Sequence, residues 1–171
     1  MRILLAGLAL LVAMNAAPAL AKGGKGRKAA AASADPNAVL AKAHGGKVWI
    51  LATQPPSVEG EELGKWLASQ PAKAELTKKP NEERWRIIYL AVFKKLPARG
   101  PMTFQFVDKK DPKYIVDQEV SQIPGEGLVF QEPYDLETNR GFNKNHTYIM
   151  KVGQIIKKRF VTYATGEVTL K

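Results

Sequence analysis

Residues 85–93 read Trp-Arg-Ile-Ile-Tyr-Leu-Ala-Val-Phe, the most apolar stretch of the chain beyond its N-terminal leader. Two readings compete for it. Asn81, Glu82 and Glu83 in front and Lys94 and Lys95 behind are residues that start and stop helices. Both alternating sets are apolar, however: Trp85, Ile87, Tyr89, Ala91 and Phe93 on one side, Ile88, Leu90 and Val92 on the other. Aromatic and β-branched residues at both parities predict a central strand covered on both faces.

The flanking sequence keeps the two-residue period. Upstream, the run from Lys47 to Thr53 is short, apolar and β-branched, and Gln54-Pro55-Pro56 ends it as a strand ends. Leu63, Trp66 and Leu67 follow at helical spacing behind Glu59, Glu61 and Glu62, which predicts a short helix. Gly60 and Gly64 weaken it, Pro71 stops it, and residues 71–82 read as polar connection. Downstream, Met102, Phe104 and Phe106 alternate with Thr103 and Gln105, and a turn follows at Asp108-Lys109-Lys110-Asp111-Pro112. Tyr114, Val116 and Val120 mark one strand face, with Asp117 and Glu119 on the other. Leu128-Val129-Phe130 is a further short strand. Asn139-Arg140-Gly141 and residues 143–145 are loop, and Tyr148, Met150 and Val152 alternate again. One long strand is expected from Ile155 to Ala164, with Gly166 turning the chain into Val168-Thr169-Leu170. Seven or eight short strands at roughly 10-residue intervals, with one short helix, predict a mainly β domain over 47–171. A β-sandwich is the expected architecture and a closed barrel the alternative.

The N-terminus reads differently. Arg2, the apolar run Ile3–Met14, Pro18 and Ala19-Leu20-Ala21 have the three parts of a cleavable signal peptide over 1–21. Residues 22–46, rich in Ala, Gly and Lys, read as a basic linker with helical character near Pro36 to Ala43. The 171 residues carry a formal charge of +10. Residues 22–47 hold Lys22, Lys25, Arg27, Lys28, Lys42 and Lys47 against Asp35 alone, so the tail is more basic than the domain. The absence of cysteine excludes disulfides, thiol catalysis, cysteine metal sites and an N-terminal lipid on cysteine.

The strand at 85–93, the aromatic strand at 102–107, and the closing stretch from Gly141 to Tyr148, then Tyr163-Ala164 and Val168 to Lys171, resemble small exported bacterial proteins of immunoglobulin-like sandwich type. The resemblance implies fold and compartment and assigns no functional residue. Immunoglobulin domains proper carry a Cys-Trp-Cys core, which this chain lacks.

Candidate chemistry is sparse. His44 and His146 belong to no ligand-spaced set. Asp117 and Glu119, two apart on one strand, have a spacing that a carbohydrate-cleaving pair could use, and equally that of a solvated strand face. Asp108 and Asp111 flank two lysines and read as a turn, not a calcium loop. Ser33, Ser57, Ser69 and Ser121 lack a nucleophile-elbow context, and Gly23-Gly24-Lys25-Gly26 lacks the strand and helix of a phosphate loop. Lys94-Lys95 and Lys157-Lys158-Arg159 form basic spots, and the tail's Lys-Gly-Gly-Lys-Gly-Arg-Lys suits a polyanion. The expectation is an exported, periplasmic or extracellular binding or structural module that is not an enzyme. No catalytic, metal or cofactor residue is expected. Its partner would be a protein or an anionic envelope polymer, not nucleic acid, and no stable membrane insertion is expected after leader cleavage. A periplasmic enzyme using Asp117 and Glu119 on a carbohydrate or peptidoglycan is the first alternative. An accessory or inhibitor protein of a secreted assembly is the second.

Overall fold

The computed structural model describes residues 35–124 and 127–171; the signal peptide expected over 1–21 and most of the linker expected over 22–46 lie outside them. The described chain is mainly β, as expected. The elements are α1 (Ala38–His44), β1 (Lys47–Leu51), α2 (Gly60–Ser69), β2 (Lys73–Leu76), β3 (Arg84–Val92), β4 (Pro101–Asp108), β5 (Ile115–Pro124), β6 (Val129–Glu137), a 3-10 turn at Thr138–Arg140, β7 (His146–Ile156) and β8 (Arg159–Leu170). They form one curled sheet in the order β5-β4-β7-β8-β1-β3-β6, with β2 also paired to β8. β8 and β1 are joined by one parallel residue pair, Lys47 and Thr165.

The residues at 85–93 form β3, a strand flanked by β1 and β6. Its two apolar faces have separate uses. Trp85, Ile87, Tyr89 and Ala91 enter the main core with Phe104, Phe106, Tyr148, Met150 and Leu170. Leu90 and Val92 join Trp49 and Leu51 beneath Leu40, Leu63 and Leu67 of the two helices. The curl brings rings of distant strands together: Tyr89 and Phe104 lie 5.3 Å apart, Phe104 and Tyr134 4.8 Å. Such aromatic pairs add to the stabilisation that burial alone provides.

The predicted helix at 60–69 is present, and its glycines have a reason. Gly60 has φ +57°, and its N–H donates to Asn37 Oδ1 at 3.2 Å, which ties α2 to the start of α1. A Cβ on Gly64 would lie 3.1 Å from the end of Leu40, so glycine lets α1 sit close. Leu40 is fully buried there, so α1 is packed on the domain rather than part of a free linker.

Several local readings are corrected. Residues 73–76, read as polar connection, form β2 with Ala74 and Leu76 buried. The strand read at 128–130 runs on to Glu137 through Pro133, which an edge strand tolerates because one row of its backbone groups needs no partner. The long strand expected from 155 to 164 is two: β7 ends at Ile156, Lys157 and Lys158 turn, and β8 starts at Arg159. Gly166, expected as a turn, lies inside β8 opposite Met150.

The expected facing of β5 holds only in part. Val116 packs against the main core as expected and Val120 is 43 % exposed, while Asp117 pairs with Phe106 and Glu119 with Phe104, which turns the acids toward β6. They meet polar groups of β6 and the 3-10 turn at the end of the sheet. Inward charge on an edge strand discourages pairing with another chain.

Tyr148 fixes the corner before β7. Its phenol accepts the N–H of Asn143 at 2.7 Å and donates to the carbonyl of Gly141 at 3.4 Å. Tyr148→Phe removes both bonds and leaves a part-buried N–H without its acceptor. A loss of about 1–3 kcal/mol is expected in denaturant unfolding at unchanged m-value.

Candidate functional site

The candidate site lies where β3 joins β4 and β7 joins β8. The second junction is a two-residue hairpin, since Ile155 pairs with Phe160 and Ile156 with Arg159. Its two central residues, Lys157 and Lys158, have φ +50° and +63°. A two-residue turn with both central residues left-handed matches the twist of a tight hairpin, and Asn-Gly is its usual sequence. Here two lysines hold that conformation.

The other junction, residues 93–100, carries Lys94, Lys95, Leu96 and Arg99. One buried side chain fastens it to β7. Gln154 Nε2 donates to the carbonyls of Ala98 at 2.8 Å and Gly100 at 3.2 Å, and its Oε1 accepts from the Tyr163 phenol at 3.0 Å. Gln154→Leu has nearly the same volume and loses all three bonds. We expect it to lower stability by about 1–3 kcal/mol and to raise amide hydrogen exchange at 96–100 above that of the strands.

The result is a pole bearing Lys94, Lys95, Arg99, Lys157, Lys158 and Arg159, all exposed. None of the six makes an ion pair among the described residues. Elsewhere acids stand among the cations: Lys73 and Lys109 hold Glu167, Arg84 holds Asp135, and Lys171 reaches Glu75. Lys78 and Lys79, which make no ion pair among the described residues, lie close in sequence to Glu82 and Glu83, whereas residues 93–100 and 155–160 contain no acid. Four large apolar side chains accompany the unmatched charges. Leu96 is 66 % exposed and Ile155 51 %, and Val120, Ile155 and Ile156 line one cleft of about 180 Å³ with Arg99. Residue types alone marked the two basic spots; only the strand order places them together.

The other sequence candidates are dispersed. Asp117 accepts from the Tyr134 phenol and from Arg140 Nη2 at 2.8 Å, and Glu119 takes the same guanidinium nitrogen at 3.3 Å. Arg140 also sits over the Tyr134 ring, 5.4 Å from its centre. The two carboxylates thus form a clamp between β5 and the end of β6. Next to it, Glu132 accepts from Tyr89 at 2.7 Å and from Ser121 at 2.6 Å. Burial first, and then the neighbouring carboxylates, push the phenols of Tyr89 and Tyr134 far above the usual tyrosine range, so both remain donors. Arg140, Tyr134 and Glu132 were not singled out in the sequence; no spacing signal links them.

His44 packs edge-on to Trp49, with ring centres 5.4 Å apart. His146 lies at the opposite pole, 2.8 Å from Asp108, whose carboxyl it holds below the usual range together with the Lys110 N–H. Asp108 and Asp111 each accept a backbone N–H two residues on, as turn residues do. Ser69 donates to the Trp66 carbonyl at 2.7 Å. No group of three or more His, Asp or Glu that could hold a metal occurs among the described residues. No described helix is long and apolar enough to cross a membrane. An apolar groove of about 660 Å³ runs beside Trp49, Leu67 and Ile149, with Lys47 and Lys73 also lining it.

Comparison of the chain with protein-family models, with curated proteins and with solved structures returned no match.

Proposed function

We propose that this protein is an exported, non-enzymatic binding module of the cell envelope or secreted fraction, and that it engages an anionic partner through the pole formed by residues 93–100 and 155–160. The single observation that carries the reading is six exposed cations, with no ion pair among the described residues, on two adjoining segments, 93–100 and 155–160, that contain no acidic residue. Uncompensated charge raises association rates and affinity for polyanions without requiring a shaped pocket. The leader pattern at 1–21 supports export, and the basic tail would add to the attraction.

The architecture we read into the curled sheet is an immunoglobulin-like sandwich. Three features support it. The pairings divide into β5-β4-β7-β8 with β2, and β1-β3-β6, joined by one residue pair; these are the groupings of the two immunoglobulin sheets if the first strand is split in two. Tyr148 makes the hydrogen bonds of the tyrosine corner at the start of the penultimate strand. Met150, two residues on and fully buried, stands where such domains place a cysteine. In this frame the basic loops lie at the end that antibody variable domains use for binding.

The carbohydrate-cleaving alternative has less support, because Arg140 and Tyr134 already engage Asp117 and Glu119. The anion reading is tested by titrating the purified protein with soluble polyphosphate at rising salt. Binding should weaken steeply with ionic strength, and it should survive serine at Lys22, Lys25, Arg27 and Lys28. No binding at low salt, or binding that disappears with the tail cations alone, would overturn it.

A further inference from the structure

The cations at this pole are not alone, and their company narrows the partner. We infer that the basic pole docks on the surface of an anionic lipid bilayer, with Leu96, Ile155 and Ile156 entering the headgroup region. The inference rests on the anion-binding reading above and adds the identity of the partner.

A soluble polyanion is held by charge and gains nothing from exposed aliphatic side chains. A bilayer surface rewards both: anionic headgroups attract Lys and Arg, and aliphatic side chains leave water for the acyl boundary. Leu96 and Ile156 each adjoin a cation in sequence, and Ile155 is one residue further away: Lys95 precedes Leu96, and Lys157 follows Ile155-Ile156. Leu96, Ile155 and Ile156 are 66 %, 51 % and 37 % exposed at one pole of the domain, where their contact with water is unfavourable. The turn residues support the same use. Lys157 and Lys158 hold left-handed backbone that Asn-Gly would adopt with less strain, so two cations stand at the tip at a conformational cost.

The test uses three sets of variants of the full chain and two probes. The probes are phosphatidylcholine vesicles with or without phosphatidylglycerol, read by co-sedimentation, and soluble polyphosphate. Wild type should bind only the anionic vesicles, and a part of that binding should persist at high salt. Ile155→Asn with Ile156→Asn should lose the salt-resistant part and keep polyphosphate binding. Lys157→Asn with Lys158→Gly should raise Tm by about 2–4 °C, through relief of the turn, while vesicle affinity falls about fivefold for each cation removed. Leu96→Trp, at a position too exposed to disturb folding, should show a blue-shifted emission on anionic vesicles and none with polyphosphate. Polyphosphate binding without vesicle binding, or vesicle binding unaffected by the isoleucine changes, would overturn the bilayer inference and leave the anion reading standing. Binding to neither probe would overturn both.

Discussion

Gly166→Ala is expected to lower stability by about 3 kcal/mol, enough to shift Tm downward by roughly 10 °C. An added Cβ would stand 2.3 Å from the Val48 carbonyl oxygen and 3.0 Å from the Val48 Cβ. The obstacle is backbone on both sides. Gly166 is held opposite Met150 by the β7–β8 ladder, and the adjoining residue Thr165 donates its N–H to the Gly46 carbonyl at 3.0 Å. Relief requires β1 to move away from β8 next to the one residue pair that joins them, which would loosen Val48 and Ile50 from the main core. Gly64→Ala is the companion measurement. There the added atom meets side chains alone, the end of Leu40 at 3.1 Å and the His44 ring at 3.8 Å, and the helix interior favours alanine. Its effect should stay within about 1 kcal/mol. Chemical denaturation of both proteins, with equal m-values, distinguishes a backbone junction from a general intolerance of Cβ atoms.

The second large effect concerns binding. Reversing Lys157, Lys158 and Arg159 to glutamate should weaken attachment to an anionic surface by at least about 100-fold, since each Lys or Arg near such a surface contributes about 1 kcal/mol. The three side chains are exposed and make no ion pair among the described residues, so unfolding should be nearly unchanged. Reversing Lys109, Lys144 and Lys171 at the opposite pole changes the net charge equally. It should reduce binding far less, because screening confines the attraction to about 10 Å at ordinary salt. Equal losses from both triple variants would mean that net charge, not the pole, governs attachment.

How much of this was legible in the sequence depended on how strongly each segment was patterned. Residues 85–93 could be assigned as a strand because both parities were apolar, and the two cores on either side of β3 account for that. β2 was hidden because four residues with two small or medium apolar ones carry little period, and its stability comes from pairing with β8. The end of β6 was hidden by Pro133 and its acids, which an edge strand permits. The tip at Lys157-Lys158 was missed because a tight hairpin is normally announced by Gly or Asn, and here neither is present. The acids of β5 were assigned to the solvent face on the assumption that valines point inward. At an edge the inward positions meet the phenol of Tyr134 and the guanidinium of Arg140 instead. The basic clusters were visible as residue types. Their meeting was not, because it depends on β3 and β7 both ending at the same pole and on Gln154 bonding to the carbonyls of Ala98 and Gly100.

The most direct measurement is a residue-by-residue map of where an anionic ligand touches the protein. Amide resonances of the isotope-labelled protein, followed during addition of polyphosphate, should move at 94–100 and 155–160 and stay still at 138–146. Shifts gathered instead around Trp49 and Lys73, or at the opposite pole, would contradict the placement of the binding surface.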